Sequence, residues 1–316
     1  MPTDGRTVFL APYVDEADKR WRLHVPHGSE LAWVFAEPVN SCYYAESIAD
    51  QTKDAYIGIM DMIARHYSFD SVLRASLELL RRIVNCAVVV EKYFLWLGQF
   101  RKTKNLLIAD LVQTDLEFLF GNVRTAYDLM QTMLNELWSR TRQPKLPSSF
   151  AAMAQMSPSI LRSKYGLPEP MVDYYSSSKG FFLAVRRIRD SIYHYQTTGK
   201  DEMKSIVFCD VNGFALAKER FFPGAIRSNF DIWPTEKTKP NGLVSVLALV
   251  SHISNKTLKA TEEFSRALVA SIVPPPPLSK SHRVFLRNPY VPHLLRLDEY
   301  LDKQWVEGEA SYTLIS

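Results

Sequence analysis

The chain has 316 residues, 47% of them hydrophobic and 23% charged, with a formal net charge of +4. Such a composition fills one large globular domain or two modest ones and excludes a disordered chain, while its mild basicity suits a polyanion partner only where the cations cluster. Cys42, Cys86 and Cys209 are odd in number and far apart, so they make neither a disulfide framework nor a zinc site. Reduced thiols in a cytoplasm are the expected state. The opening MPTDGRTVFLAPYVDEADKR carries acidic residues and no apolar h-region, and the apolar stretch Cys86–Gly98 contains Glu91 and Lys92. A soluble, cytoplasmic protein with no membrane association is expected.

In chain order, Thr7–Ala11, Trp21–Val25, Leu31–Ala36 and Cys42–Tyr44 are short β-type runs punctuated by Pro12, Pro26, Gly28 and Pro38. They predict a small β-containing arm. Asp54–His66 has helical periodicity through Ile57, Met60 and Ile63. Asp70 then opens a long helix reaching Phe100, and Arg101–Lys104 turns into a second, Asn105–Arg140. Two such helices joined by a short polar turn predict an antiparallel hairpin. Prolines at 144, 147, 158, 168 and 170 break the next stretch into short helices, one capped at Ser157 and one over Glu169–Ser177. Ser176–Ser178 is read as the cap of a further helix, Lys179–Gln196. Asp210-Val211-Asn212-Gly213 between Ser205–Cys209 and Phe214–Lys218 predicts a β-hairpin. Asn241–Ile272 is a fourth long helix, stopped by Pro274–Pro277, and His293–Trp305 a last one before a short tail. The expected fold class is mainly α, a bundle of four or more long helices. Residues 1–68 form the arm, 69–273 the bundle with its hairpin near 205–218, and 274–316 a Pro-rich linker with a C-terminal helix and tail.

Nucleotide-loop, GxSxG, HExxH and EF-hand patterns are absent, and His24 and His27 stand without further ligands nearby. No metal or cofactor is implied. The informative helix is Lys179–Gln196. Phe181, Val185, Ile188, Ile192 and Tyr195 follow the a/d spacing of a buried stripe. At about 100° per residue, Arg189 lies roughly 80° to one side of it, Asp190 opposite, and His194 about 40° beyond Asp190. Arg186 and Arg187 lie alongside.

Arg189-Asp190-Ser191-Ile192-Tyr193-His194 resembles the signature of the HEPN superfamily: an arginine, four to six residues, then a histidine, with a polar residue directly after the arginine. Asparagine is commoner than aspartate at that place. The resemblance covers roughly residues 70–272 and leaves the arm, hairpin and tail unexplained. Spacing alone is not enough. Arg22 to His27 repeats it, and Arg287 to His293 has five residues between with Asn288 after the arginine, but prolines interrupt both. The resemblance implies a helical bundle with metal-independent endoribonuclease activity, His194 as acid or base, Arg189 on the transition-state charge and Asp190 orienting either. Arg186, Arg187 and Tyr193 would contact RNA. It also implies a homodimer with a composite site, in a microbial toxin or defence effector held by an antitoxin or other regulatory protein. The alternatives are a non-catalytic HEPN-like scaffold, an RNA-binding module, or plain surface charges with His194 favoured by the helix C-terminus. Arg124 and Asp128, one turn apart, read as a surface ion pair.

Overall fold

Leu80, Val84 and Ala87 recur at helical spacing on the first long segment, and Val123, Tyr127, Met130 and Leu134 on the second. In the structure, a computed structural model, these become α1 (Asp70–Thr103) and α2 (Ile108–Trp138). The structure describes residues 13–15, 20–22, 24–27, 30–33, 42–47, 55–56, 58, 70–139, 144–195, 206–218, 222, 229–239, 242–272, 282–287 and 290–306, with the backbone alone in the segments up to 56 and at 70, 71, 73, 191–195 and 282–287. Between α1 and α2, Lys104 takes a left-handed φ of 53° and Asn105 Oδ1 accepts from Leu107 N at 3.0 Å. The chain therefore reverses within a few residues. Asn85 Nδ2 donates to Asn122 Oδ1 at 3.2 Å, and Lys92 Nζ and Trp96 Nε1 donate to the two oxygens of Asp115 at 2.7 and 2.8 Å. Rising numbers on α1 meet falling numbers on α2, as the predicted hairpin requires.

Short helices α3 (Phe150–Ala154) and α4 (Pro158–Tyr165) follow, capped by Ser149 and Ser157, and then come α5 (Glu169–Tyr195) and α6 (Val246–Ser271). The Tyr127 and Phe182 rings lie 5.2 Å apart and Tyr175 Oη donates to Gln131 Oε1 at 2.5 Å, which sets α5 antiparallel to α2. Tyr174 meets Phe264 at 5.5 Å and Phe181 meets His252 at 6.2 Å, which sets α6 antiparallel to α5. Val89 and Tyr93 share one cavity wall with Val246 and Val250, which brings α6 back against α1. The four long helices thus alternate in direction around one core. Tyr127, Phe150, Tyr175, Phe182 and Phe264 are fully buried in it. Each contributes on the order of 2 kcal/mol of burial free energy.

Two boundaries differ from expectation. Ser176–Ser178 does not start a helix, because α5 runs unbroken through it. Ser176 Oγ donates to Val172 O and Ser177 Oγ to Tyr174 O, so the hydroxyls bond back into their own helix. Burial of Val172, Tyr174, Tyr175, Ser178 and Phe182 on one face outweighs the capping preference. The fourth helix begins at Val246 rather than Asn241, with Ser245 Oγ accepting from Ala248 N.

Strands β1 (Tyr13–Asp15), β2 (Arg20–Arg22), β3 (His24–His27), β4 (Glu30–Trp33), β5 (Cys42–Ser47) and β6 (Ala55–Tyr56) occupy the arm. β1 pairs with β2 and β3 with β4, both antiparallel. The expected Thr7–Ala11 run lies outside the described residues. Of the expected Asp54–His66 helix, Ala55–Tyr56 is strand, Gly58 is helical and the rest lies outside them. The predicted hairpin is β7 (Val207–Asp210) and β8 (Gly213–Ala217), but Leu243–Ser245 adds a third strand, β9. The result is a small three-stranded antiparallel sheet with Leu216 opposite both Val207 and Val244.

β10 (His282–Arg287) lies between β5 and β6, so the segment after the prolines pairs with the arm. Gly58 N donates to Glu262 Oε1 at 2.9 Å, tying the arm to α6. The expected C-terminal helix is two, α7 (Val291–Leu295) and α8 (Leu297–Lys303), interrupted at Arg296. The Pro274–Pro277 run and the last ten residues lie outside the described residues. By length and composition, the Arg74–Thr103 part of α1 could cross a membrane, and half of its most apolar window is buried in the bundle.

Candidate functional site

Val185 and Ile188 are buried, as the stripe on α5 predicts. The buried arc is wider than that stripe, because Phe182 and Ala184 are buried as well. Phe182 packs on Phe150 at 4.8 Å and on Tyr127 of α2. It lies on the same side of α5 as Arg189, seven residues later. Arg189 therefore emerges from the seam between α5 and α2 rather than from a free flank. Its side chain is 28% exposed, against 44% for Asp190 and 39% for Arg186.

Asp190 stands between the two arginines. Its Oδ2 lies 3.7 Å from Arg186 Nε and its Oδ1 3.7 Å from Arg189 Nη1. Both separations exceed a hydrogen bond, so each pair is a loose, half-exposed contact worth less than about 1 kcal/mol. Arg187 points to solvent on the outer face. Tyr193 and His194 lie in the last turn of the same helix. Ideal helical geometry sets the His194 backbone about 7.5 Å along the axis from Arg189. The structure thus brings Arg186, Arg189 and Asp190 together and carries the His194 backbone on the same helix. Chemically, this is a pair of guanidinium forks around one carboxylate. Forks of that kind suit a phosphate oxyanion.

On α2, Arg124 Nε lies 3.8 Å from Asp128 Oδ2, the ion pair expected from their spacing. Asp128 has a second task that the sequence did not announce. Its Oδ1 accepts from Phe150 N at 3.2 Å and fastens the start of α3 to α2.

The two other arginine–histidine spacings do not lie on one helix. Arg22 and His27 fall on separate strands, and Arg287 is in β10 while His293 is in α7. His293 stacks on Phe94 at 5.7 Å, with Nε2 2.5 Å from Glu91 Oε2 and Nδ1 3.0 Å from Tyr300 Oη. It fastens α7 and α8 to α1, and burial pushes the Tyr300 hydroxyl up to about 12. Burial likewise pushes the Cys86 thiol up to about 12, so it stays protonated and packs as a small apolar group. Among the described residues, no group of three or more His, Cys, Asp or Glu could hold a metal ion. Comparison with family models, with curated proteins and with solved structures returns no match.

Proposed function

We propose that this chain is a metal-independent endoribonuclease of the HEPN type, acting as a homodimer. The observation that carries the reading is the placement of Arg189 and Asp190 on one continuous helix of a four-helix antiparallel bundle, with His194 at motif spacing on the same helix. RNA supplies its own nucleophile. His194 takes the proton of a 2′-hydroxyl, or gives one to the 5′-oxygen that leaves, because a histidine titrates near neutrality. Arg189 offers donors to the charge that builds on the phosphorus centre. Asp190 biases the orientation of Arg189 or His194, and Arg186, Arg187 and Tyr193 line the approach of the strand. The products are a 2′,3′-cyclic phosphate and a 5′-hydroxyl. A second copy supplies a second Arg189 and His194 across a two-fold axis, and an antitoxin or regulatory protein would hold such a toxin or defence effector in check.

The test is cleavage of single-stranded RNA in EDTA. The wild type should cut, and Arg189→Ala and His194→Ala should each lose at least a hundredfold in rate, by the usual size of a lost acid–base or oxyanion contribution. Cleavage that survives both changes, or that chelation abolishes, would sink the mechanism. Binding without cleavage would select the RNA-binding module instead.

A further inference from the structure

We infer that Arg124, on α2, is a further phosphate-binding arginine that continues the site along the α2–α5 seam; the inference rests on the ribonuclease reading above. On α2, Gln131 and Tyr127 meet Tyr175 and Phe182 of α5. Arg124 is three residues before Tyr127 and seven before Gln131, so it lies on the same stripe. On α5, Arg186 and Arg189 are four and seven residues after Phe182 and continue that helix's matching stripe. Because the helices are antiparallel, the steps that lead from Tyr127 to Arg124 lead from Phe182 to Arg186. The rings and amide that seal one half of the seam give way, on both helices, to arginines.

The surroundings suit a phosphate. Arg124 is about as exposed as Arg186, at 40% against 39%. Each is paired one turn on with an aspartate at 3.7–3.8 Å, too long for a hydrogen bond. A phosphate making two short N–H···O contacts displaces little. Asp128 is partly occupied by Phe150 N, so it keeps a role when Arg124 turns away. Gly121, one turn before Arg124, leaves open space where a side chain would stand. Glu117, seven residues before Arg124 on the same stripe, ends the track, because a carboxylate there repels the strand. The occupant is the sugar–phosphate backbone of a single-stranded RNA entering past Arg124 and Arg186 toward Arg189.

The experiment measures binding of a short single-stranded RNA carrying 2′-O-methyl groups, which the protein holds but cannot cut, over a series of salt concentrations. Arg124→Ala should weaken binding several-fold and reduce the slope of log K against log salt by about 0.7, the loss of one phosphate contact. Arg124→Lys should keep the slope. Glu117→Gln should tighten binding. With cleavable RNA, Arg124→Ala should raise KM by more than it lowers kcat, since a contact to the sugar–phosphate backbone is made alike in the bound and transition states. An unchanged slope in Arg124→Ala, with the wild-type melting temperature, overturns the inference and leaves the ribonuclease reading standing. A wild type that binds but never cleaves overturns that reading, and the slope still decides the role of Arg124. A wild type that does not bind RNA overturns both.

Discussion

His252 shows how one side chain couples burial to pH. It sits against the rings of Phe181 and Phe230, at 6.2 and 5.9 Å, with Nε2 3.2 Å from Asn229 O. Nε2 therefore carries the proton and donates to the carbonyl. Burial holds its pKa down at about 4 against an ordinary 6.5, and Lys256 and Lys259 add to the depression. In the unfolded chain the ring takes a second proton near 6.5, whereas the folded chain resists until about 4. The unfolded state thus binds more protons in that window, and stability falls as pH drops through it. The loss is at most ~3 kcal/mol, full below the folded pKa and absent above the unfolded one. Urea midpoints should fall between neutral pH and about pH 4 by more in the wild type than in His252→Gln, which keeps a donor for Asn229 O and cannot charge. Parallel curves for the two proteins would remove His252 from the account.

Among the elements, the hairpin is keyed to three neighbours through its turn. Phe214 N donates to Tyr93 Oη of α1 at 3.2 Å, Arg101 Nε donates to Val211 O at 2.8 Å, and Val306 N donates to Asn212 O at 2.8 Å. Gly213 has a φ of 151°, and a methyl group there would overlap Tyr93 Oη and touch Trp305. Gly213→Ala should therefore cost more than about 2 kcal/mol, from backbone strain plus the overlap. Tyr93→Phe alone should cost about 1–3 kcal/mol, because the Phe214 N–H loses its acceptor. Combined, they should cost less than the sum, since the phenylalanine leaves room for the methyl. Strict additivity in urea melts would mean that the two do not meet. The Asn212-Gly213 turn was legible in the sequence because its chemistry is local. Leu243–Ser245 was not, since three residues before a long apolar helix read as more helix until β8 offers them a partner. The serines of α5 misled for the same reason: their capping habit is local, and the burial that overrides it belongs to α2 and α6.

At the scale of the whole molecule, the same division governs the candidate site. The spacing of Arg189, Asp190 and His194 is written in one stretch of chain, whereas the seam from which Arg189 emerges is made by Phe182 meeting Tyr127, a contact between distant segments. One bundle carries one Arg189 and one His194, and in the proposed dimer the motif helices face each other so that each site draws on both copies. That arrangement separates the two inactive variants in an informative way. Arg189→Ala retains a sound His194, and His194→Ala retains a sound Arg189. If arginine and histidine act across the two-fold axis, mixing the purified variants under conditions of subunit exchange should restore part of the ribonuclease activity. The recovered fraction should track the share of mixed dimers, at most about half of the population for equal amounts and random exchange. If both groups act within one chain, no mixture regains activity, because every chain lacks one of them. A double variant, Arg189→Ala with His194→Ala, mixed with either single variant supplies the control. It contributes neither group, so activity appearing there would have to come from outside the motif, and the composite site would be lost with it.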